Sequence, residues 1–131
     1  MGHVYVRATV CNALDYAQYL EGRLGYGDVR RVEVEVLVDT GATFPTLPED
    51  AIGRLGLVRV GEYPAETAGG SATVELFGPA LIAVEDRVAI CPVVRRPRGT
   101  TPLIGVVALE QMGFRVDPVT GRLIKGLPLM L

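Results

Sequence analysis

The chain has 131 residues, 49% of them hydrophobic, and thirteen basic residues against fifteen acidic ones leave a net charge of −2. That length suits one domain with its own core, and the sequence reads as a single domain over residues 1–131. The near-balanced charge excludes a nucleic-acid partner, since the densest basic run, RRPR (95–98), is short and broken by a proline.

The opening MGHVYVRATVCNALDY scatters polar and charged residues where a secretory leader would hold an unbroken apolar stretch. The longest apolar runs, such as LIGVVAL (103–109), are too short to cross a bilayer. The expectation is a cytoplasmic protein with no membrane partner. Cys11 and Cys91 lack metal-ligand spacing and are expected to be reduced, partly buried thiols.

Sixteen glycines and nine prolines punctuate short β-branched segments, which predicts a mostly-β chain. HVYVRATV (3–10) reads as the first strand. NALDYAQYLEGRLGYGD (12–28) reads as a polar external loop with at most a short helical turn. VRRVEVEVLVD (29–39) is the clearest strand, with Arg31, Glu33 and Glu35 alternating with valines, so one face is solvated and the other buried.

PEDAIGRLGL (48–57) carries a helix signature: a leading proline, two acids in the first turn and Gly56 at the end. EYPAETAGGSATVELFG (62–78) predicts a hairpin turning at Gly69-Gly70. ALIAVEDRVAICPVV (80–94) gives two strands separated by Glu85-Asp86. Then come a short strand to Ile104, a helix over about 106–112 and a last hairpin turning through Asp117 to Gly121. In the closing LIKGLPLML (123–131), Leu123 and Ile124 read as core.

Within this pattern VLVDTGATFPTLP (36–48) is unusual. A buried-looking strand delivers one carboxylate, Asp39, onto a loop of small residues, Thr40, Gly41 and Ala42. Asp-Thr-Gly alone is a common turn, because Asp readily bonds backbone two residues ahead. Gly41 and Ala42, however, leave room for a neighbour's backbone. Leu103, Ile104 and Gly105 repeat the device, with a glycine opening the next helix.

LVDTGATFPTLPEDAIGRLGL, the glycine hairpin and PLIGVVALEQMGFRVDPVTGRL, in that order and spacing, resemble the single-domain retropepsin-like aspartic proteases of clan AA, and most of all their prokaryotic members. The likeness covers residues 29–125. It implies a mainly β fold: a closed β-barrel with a flap hairpin and one short C-terminal helix, without cofactor or metal. By position Asp39 would be the catalytic aspartate, and the Thr40 hydroxyl would stiffen the active-site loops across a subunit interface. Gly41, with Ala42 beside it, would give backbone contact to substrate. Gly69 and Gly70 would lie near the flap tip, and Leu103, Ile104 and Gly105 would form the active-site floor.

Aspartate-driven peptide hydrolysis needs two carboxyls, and this chain has one Asp-Thr-Gly. The resemblance therefore implies a homodimer, with each copy lending Asp39 and a polypeptide substrate lying extended beneath the flaps. The viral members carry an ion pair at the positions of Thr43 and Val106, and this chain lacks both charges. Phe44 or the leucine-rich tail would then supply the contact between copies. Two other readings stand beside this one: a non-catalytic dimerisation or peptide-binding module, and a metal-dependent hydrolase using His3, Cys11, Cys91 and Asp39.

Overall fold

The computed structural model describes residues 3–126. Its main sheet runs through β1 (Tyr5–Asn12), β2 (Arg31–Val38), β3 (Thr46–Pro48), β4 (Val58–Thr67), β5 (Gly70–Val84), β6 (Arg87–Arg96) and β7 (Leu103–Ile104). The spatial order is β1-β2-β7-β3-β6-β5-β4, and β1 also pairs with β5. Six strands thus close into a barrel, and β4 stays outside the closure, bonded to β5 alone. The mainly β, closed-barrel expectation holds.

Alternation in β2 explains its place. Val32 and Val36 are buried while Arg31, Glu33 and Glu35 are exposed, as a strand with one wet face requires. Antiparallel pairing with β1, from Tyr5 opposite Leu37 to Cys11 opposite Arg31, locks that register, because a one-residue slip would turn the valines to solvent. The core gathers Val10, Val36, Leu47, Leu76, Ile82, Val93 and Ile104 inside the barrel.

Two short helices seal it. In α2 (Glu49–Leu55) the buried side chains are Ala51, Ile52 and Leu55, and in α3 (Val106–Met112) they are Ala108, Leu109 and Met112. The same i, i+1, i+4 spacing places one apolar stripe on each helix, and each large side chain so buried stabilises by about 1.5–3 kcal/mol. Both helices end on a left-handed glycine, Gly56 and Gly113. A two-stranded ribbon, β8 (Phe114–Val116) with β9 (Leu123–Lys125), closes the described chain. Leu123 packs against the core as expected, and Ile124 is half-buried. The rest of the tail, residues 127–131, lies outside the described residues.

The external loop expected at residues 12–28 is a correction. Ala13–Leu20 form a helix, α1, followed by a 3-10 turn at Tyr26–Asp28. Asn12 caps α1, its side-chain oxygen accepting from the Leu14 and Asp15 amides at 3.0 and 3.1 Å while its amide group donates to Leu55 O at 2.9 Å. Asp15 is only 8% exposed and receives the Arg30 guanidinium at 2.8 and 3.0 Å and the Arg30 amide at 3.0 Å. These bonds hold the Asp15 carboxyl below its ordinary range.

Smaller differences concern ends. The first strand starts and finishes two residues later than expected, β2 is confined to Arg31–Val38, and the three-residue β3 was not foreseen. Both cysteines are free and buried, rather than partly buried.

Candidate active site

The site begins where β2 leaves the barrel. β7 lies parallel to β2, with Leu37 opposite Leu103 and Val38 opposite Ile104, and antiparallel to β3 at Thr46. The Asp39 amide continues this ladder by donating to Ile104 O at 2.9 Å. Asp39 therefore sits at the strand's last fixed rung, half-buried, just before the chain turns through exposed Thr40 and Gly41 and half-buried Ala42.

The loop closes on itself and on α3. Asp39 Oδ1 accepts from the Gly41 amide at 2.9 Å, the short-range bond expected of an Asp-x-Gly turn. The Ala42 amide donates to Asp39 O at 3.2 Å. Ala42 O and Thr43 O then accept from the Val106 and Val107 amides at 2.8 and 3.0 Å. The first amides of a helix have no partner within it, so the Asp loop supplies the acceptors that the start of α3 needs. The Asp39 loop and the start of α3 thus meet through backbone.

Gly105 makes this approach possible. A Cβ there would stand 2.6 Å from Ala42 O and 2.9 Å from Phe44 O, closer than any real side chain sits. Below it, Ile104 is 1% exposed and Leu103 is half-buried. The three residues expected to form a floor lie directly under the Asp39 loop.

The hairpin of β4 and β5 carries Gly69 and Gly70 at its far end. Its two-residue turn is Ala68-Gly69, with Thr67 opposite Gly70, so the turn lies one residue earlier than Gly69-Gly70. Gly70, at φ +114°, opens β5, and its carbonyl accepts from the Thr67 hydroxyl at 2.6 Å. Tyr63 on β4 meets Phe44 of the Asp loop edge to face, with ring centroids 6.3 Å apart at 87°. This side of the hairpin therefore faces Asp39's loop.

Thr40 borders a cavity of about 590 Å³ between the start of β1 and the β8–β9 turn, with His3, Val4, Val38 and Asp117 among its lining. Asp117 is a turn residue, as its sequence context suggested. Its carboxylate accepts from the Val119 amide and the Thr120 hydroxyl at 2.9 Å each, which lowers its pKa.

His3, Cys11, Cys91 and Asp39 do not assemble. Cys91 belongs to the barrel core and Cys11 to a separate cluster with Val29 and Leu81. Burial pushes the Cys91 thiol up to about 11 and raises that of Cys11, so neither is a ready thiolate ligand. Among the described residues no group of three or more His, Cys, Asp or Glu side chains could hold a metal ion.

A carboxylate on a strand-end Asp-Thr-Gly loop, a Leu-Ile-Gly strand bonded to it and a hairpin touching it through Tyr63 now have one address. The family model described as "gag-polyprotein putative aspartyl protease" matches residues 27–111, about two thirds of the chain. The chain belongs to this retropepsin-like aspartyl protease family. Family membership supports a protease function and a peptide substrate. No curated protein matches the sequence. The matched segment spans the Asp39 loop, the hairpin, β7 and most of α3, and ends before β8. Among the described residues no helix of this aspartyl protease family member is long and apolar enough to cross a membrane.

Two contributors to the site had escaped sequence reasoning. The Val106 and Val107 amides leave no trace in side-chain pattern, although Gly105 before a helix pointed to them. The Phe44–Tyr63 contact joins residues nineteen positions apart, and nothing in their spacing signals it.

Proposed function

We propose that this protein is a homodimeric aspartic endopeptidase in which two Asp39 carboxyls, one from each copy, activate a water against a peptide bond. The observation that carries the reading is the Asp39 loop. Strand β7 and the start of α3 fix it from below. Among the described residues, the one hydrogen bond to the Asp39 carboxylate comes from its own loop, at Gly41.

The other well-fixed acids among the described residues are engaged elsewhere, which argues against a second carboxyl from the same chain. Asp15 holds Arg30, Asp86 holds Lys125 at 2.7 Å, Glu75 pairs with Arg59 and Arg95, and Asp117 closes a turn. A twofold pairing of copies supplies the missing partner with no new residue type. Two carboxyls a few ångströms apart share one proton, since both cannot ionise together. The ionised member takes a proton from water as the oxygen attacks the carbonyl carbon. The protonated member gives its proton to the carbonyl oxygen, and the C–N bond breaks once the nitrogen is protonated. Thr40, exposed beside Asp39, would bond across the interface, and the hairpins would cover an extended substrate strand. No metal or cofactor has a part in these steps.

The test is cleavage of an unfolded polypeptide between about pH 4 and pH 7, set beside Asp39→Asn and Asp39→Ala. Wild type is expected to cut in the acidic part of that range, while both variants keep the wild-type melting temperature and lose activity by at least a thousandfold. Cleavage that survives in both variants removes the carboxylate pair. Tight peptide binding without cleavage by wild type transfers the reading to a peptide-binding module.

A further inference from the structure

The hairpin needs something to set its height above the Asp39 loop, because its own sheet does not. β4 is an edge strand, and β5 pairs with β6 only from Leu76 onward. From Gly61 to Glu75 the two strands therefore have only each other. A two-stranded ribbon is marginal in water and needs packing on at least one face.

Its two faces differ. Glu62 lies opposite Glu75 on the outer face, and the bulge between Arg59 and Gly61 brings Arg59 onto the same face, where it pairs with Glu62 and with Glu75, and Glu75 also takes Arg95 of β6. These side chains are one third to one half exposed, so salt and solvent weaken the tie. The inner face carries Tyr63, opposite Val74. Tyr63 is the ring that meets Phe44. Phe44 is anchored, since its carbonyl lies in the tight packing over Gly105 and the next residue, Pro45, is buried and accepts from the Val94 amide at 2.8 Å. Tyr63 leans on Gly61, whose missing side chain leaves the ring its space: a Cβ there would be 3.3 Å from Cε1. Tyr63 as a residue remains 53% exposed and its hydroxyl has no hydrogen bond among the described residues, so the contact is made by ring edge and face alone.

We infer that Phe44 and Tyr63 are positioning residues that hold the hairpin down over Asp39, the aromatic contact acting as the inner catch opposite the outer Arg59–Glu75–Arg95 tie. This rests on the endopeptidase reading for its effect on catalysis, though not for its effect on the hairpin. With the catch removed, the hairpin populates raised positions more often, and the apparent affinity for substrate falls by the lost closed fraction. Substrate bound beneath the hairpin restores closure through its own backbone hydrogen bonds, so turnover of the bound state changes little.

The experiment compares wild type, Tyr63→Ala, Tyr63→Phe and Phe44→Ala by peptide-cleavage kinetics and by amide hydrogen exchange of the free protein. Tyr63→Ala and Phe44→Ala are expected to raise KM about three- to tenfold with kcat within twofold of wild type, as the loss of one aromatic pair implies. Exchange should quicken over residues 61–75 and stay unchanged in the barrel. Tyr63→Phe should match wild type in both. The inference fails if exchange over 61–75 is unaltered in Tyr63→Ala, or if Tyr63→Phe behaves like Tyr63→Ala, which would make the hydroxyl the active group. A wild type that neither cuts nor binds peptide would overturn the endopeptidase reading, and the exchange measurement would still decide the catch.

Discussion

A methyl group added at Gly105 would meet the carbonyl oxygens of Ala42 and Phe44, and the Ala42 oxygen cannot retreat without breaking the bond it accepts from the Val106 amide. The clash falls on backbone, so no rotamer change relieves it. Gly105→Ala should cost about 1–3 kcal/mol of stability, the usual range for overpacking. It should also lower kcat/KM by about tenfold to a hundredfold, because displacing the Asp39 loop by about an ångström spoils the proposed paired-carboxyl geometry. Thermal melts and kcat/KM on one preparation separate the two, and a variant with unchanged kcat/KM would show that the loop tolerates movement. Gly41 is a milder case, its added Cβ meeting only Asp39 Oδ1 at 3.2 Å.

At the scale of elements, α1 is tied to the barrel by Asp15 and Arg30. Because the folded carboxyl titrates below its unfolded value, the pair contributes stability that is fully present above about pH 4 and is lost as pH falls through the lowered folded value. Asp15→Asn should melt several degrees lower at neutral pH and show a shallower decline in acid than wild type. Equal acid slopes for the two proteins would mean that the pair carries no linkage. The pair stays ionised in the mildly acidic range where a shared-proton dyad works. The sequence showed less of this element than of its neighbours. β2 was readable because Arg31, Glu33 and Glu35 alternate with valines, and α2 and α3 because each is punctuated by a terminal glycine. Helix α1 is legible only through the cap, Asn12 followed three residues later by Asp15, and its fixed acid finds its partner fifteen residues away. β3 has three residues and no period to read, and it exists because β6 and β7 flank it. In the site, Asp39 and Gly105 announced themselves by residue type. Phe44, Tyr63 and the helix amides did not, since proximity across the barrel mouth is a property of topology.

For the whole molecule, the proposed sharing of the site between copies predicts a particular failure of additivity. Equal amounts of wild type and Asp39→Asn, allowed to exchange, leave about a quarter of the dimers with two intact carboxyls while doubling the total. The rate should then fall to about half that of the same wild type alone, and further as the variant is raised in excess. A rate unmoved by the variant would mean that each chain works independently or that copies do not mix. Dilution provides the companion measurement, since specific activity should drop as copies separate.

Strand β5 leads two lives along its length. Beyond Ala80 it is welded between β1 and β6, whereas before Leu76 it pairs with β4 alone among the described residues, in a ribbon whose outer rims of amide and carbonyl groups meet no further strand there. An extended, half-unsatisfied backbone is the shape a peptidase grips. The most substrate-like segment of this molecule is therefore its own covering arm, and self-digestion would begin there, with the closed barrel the last part to be consumed.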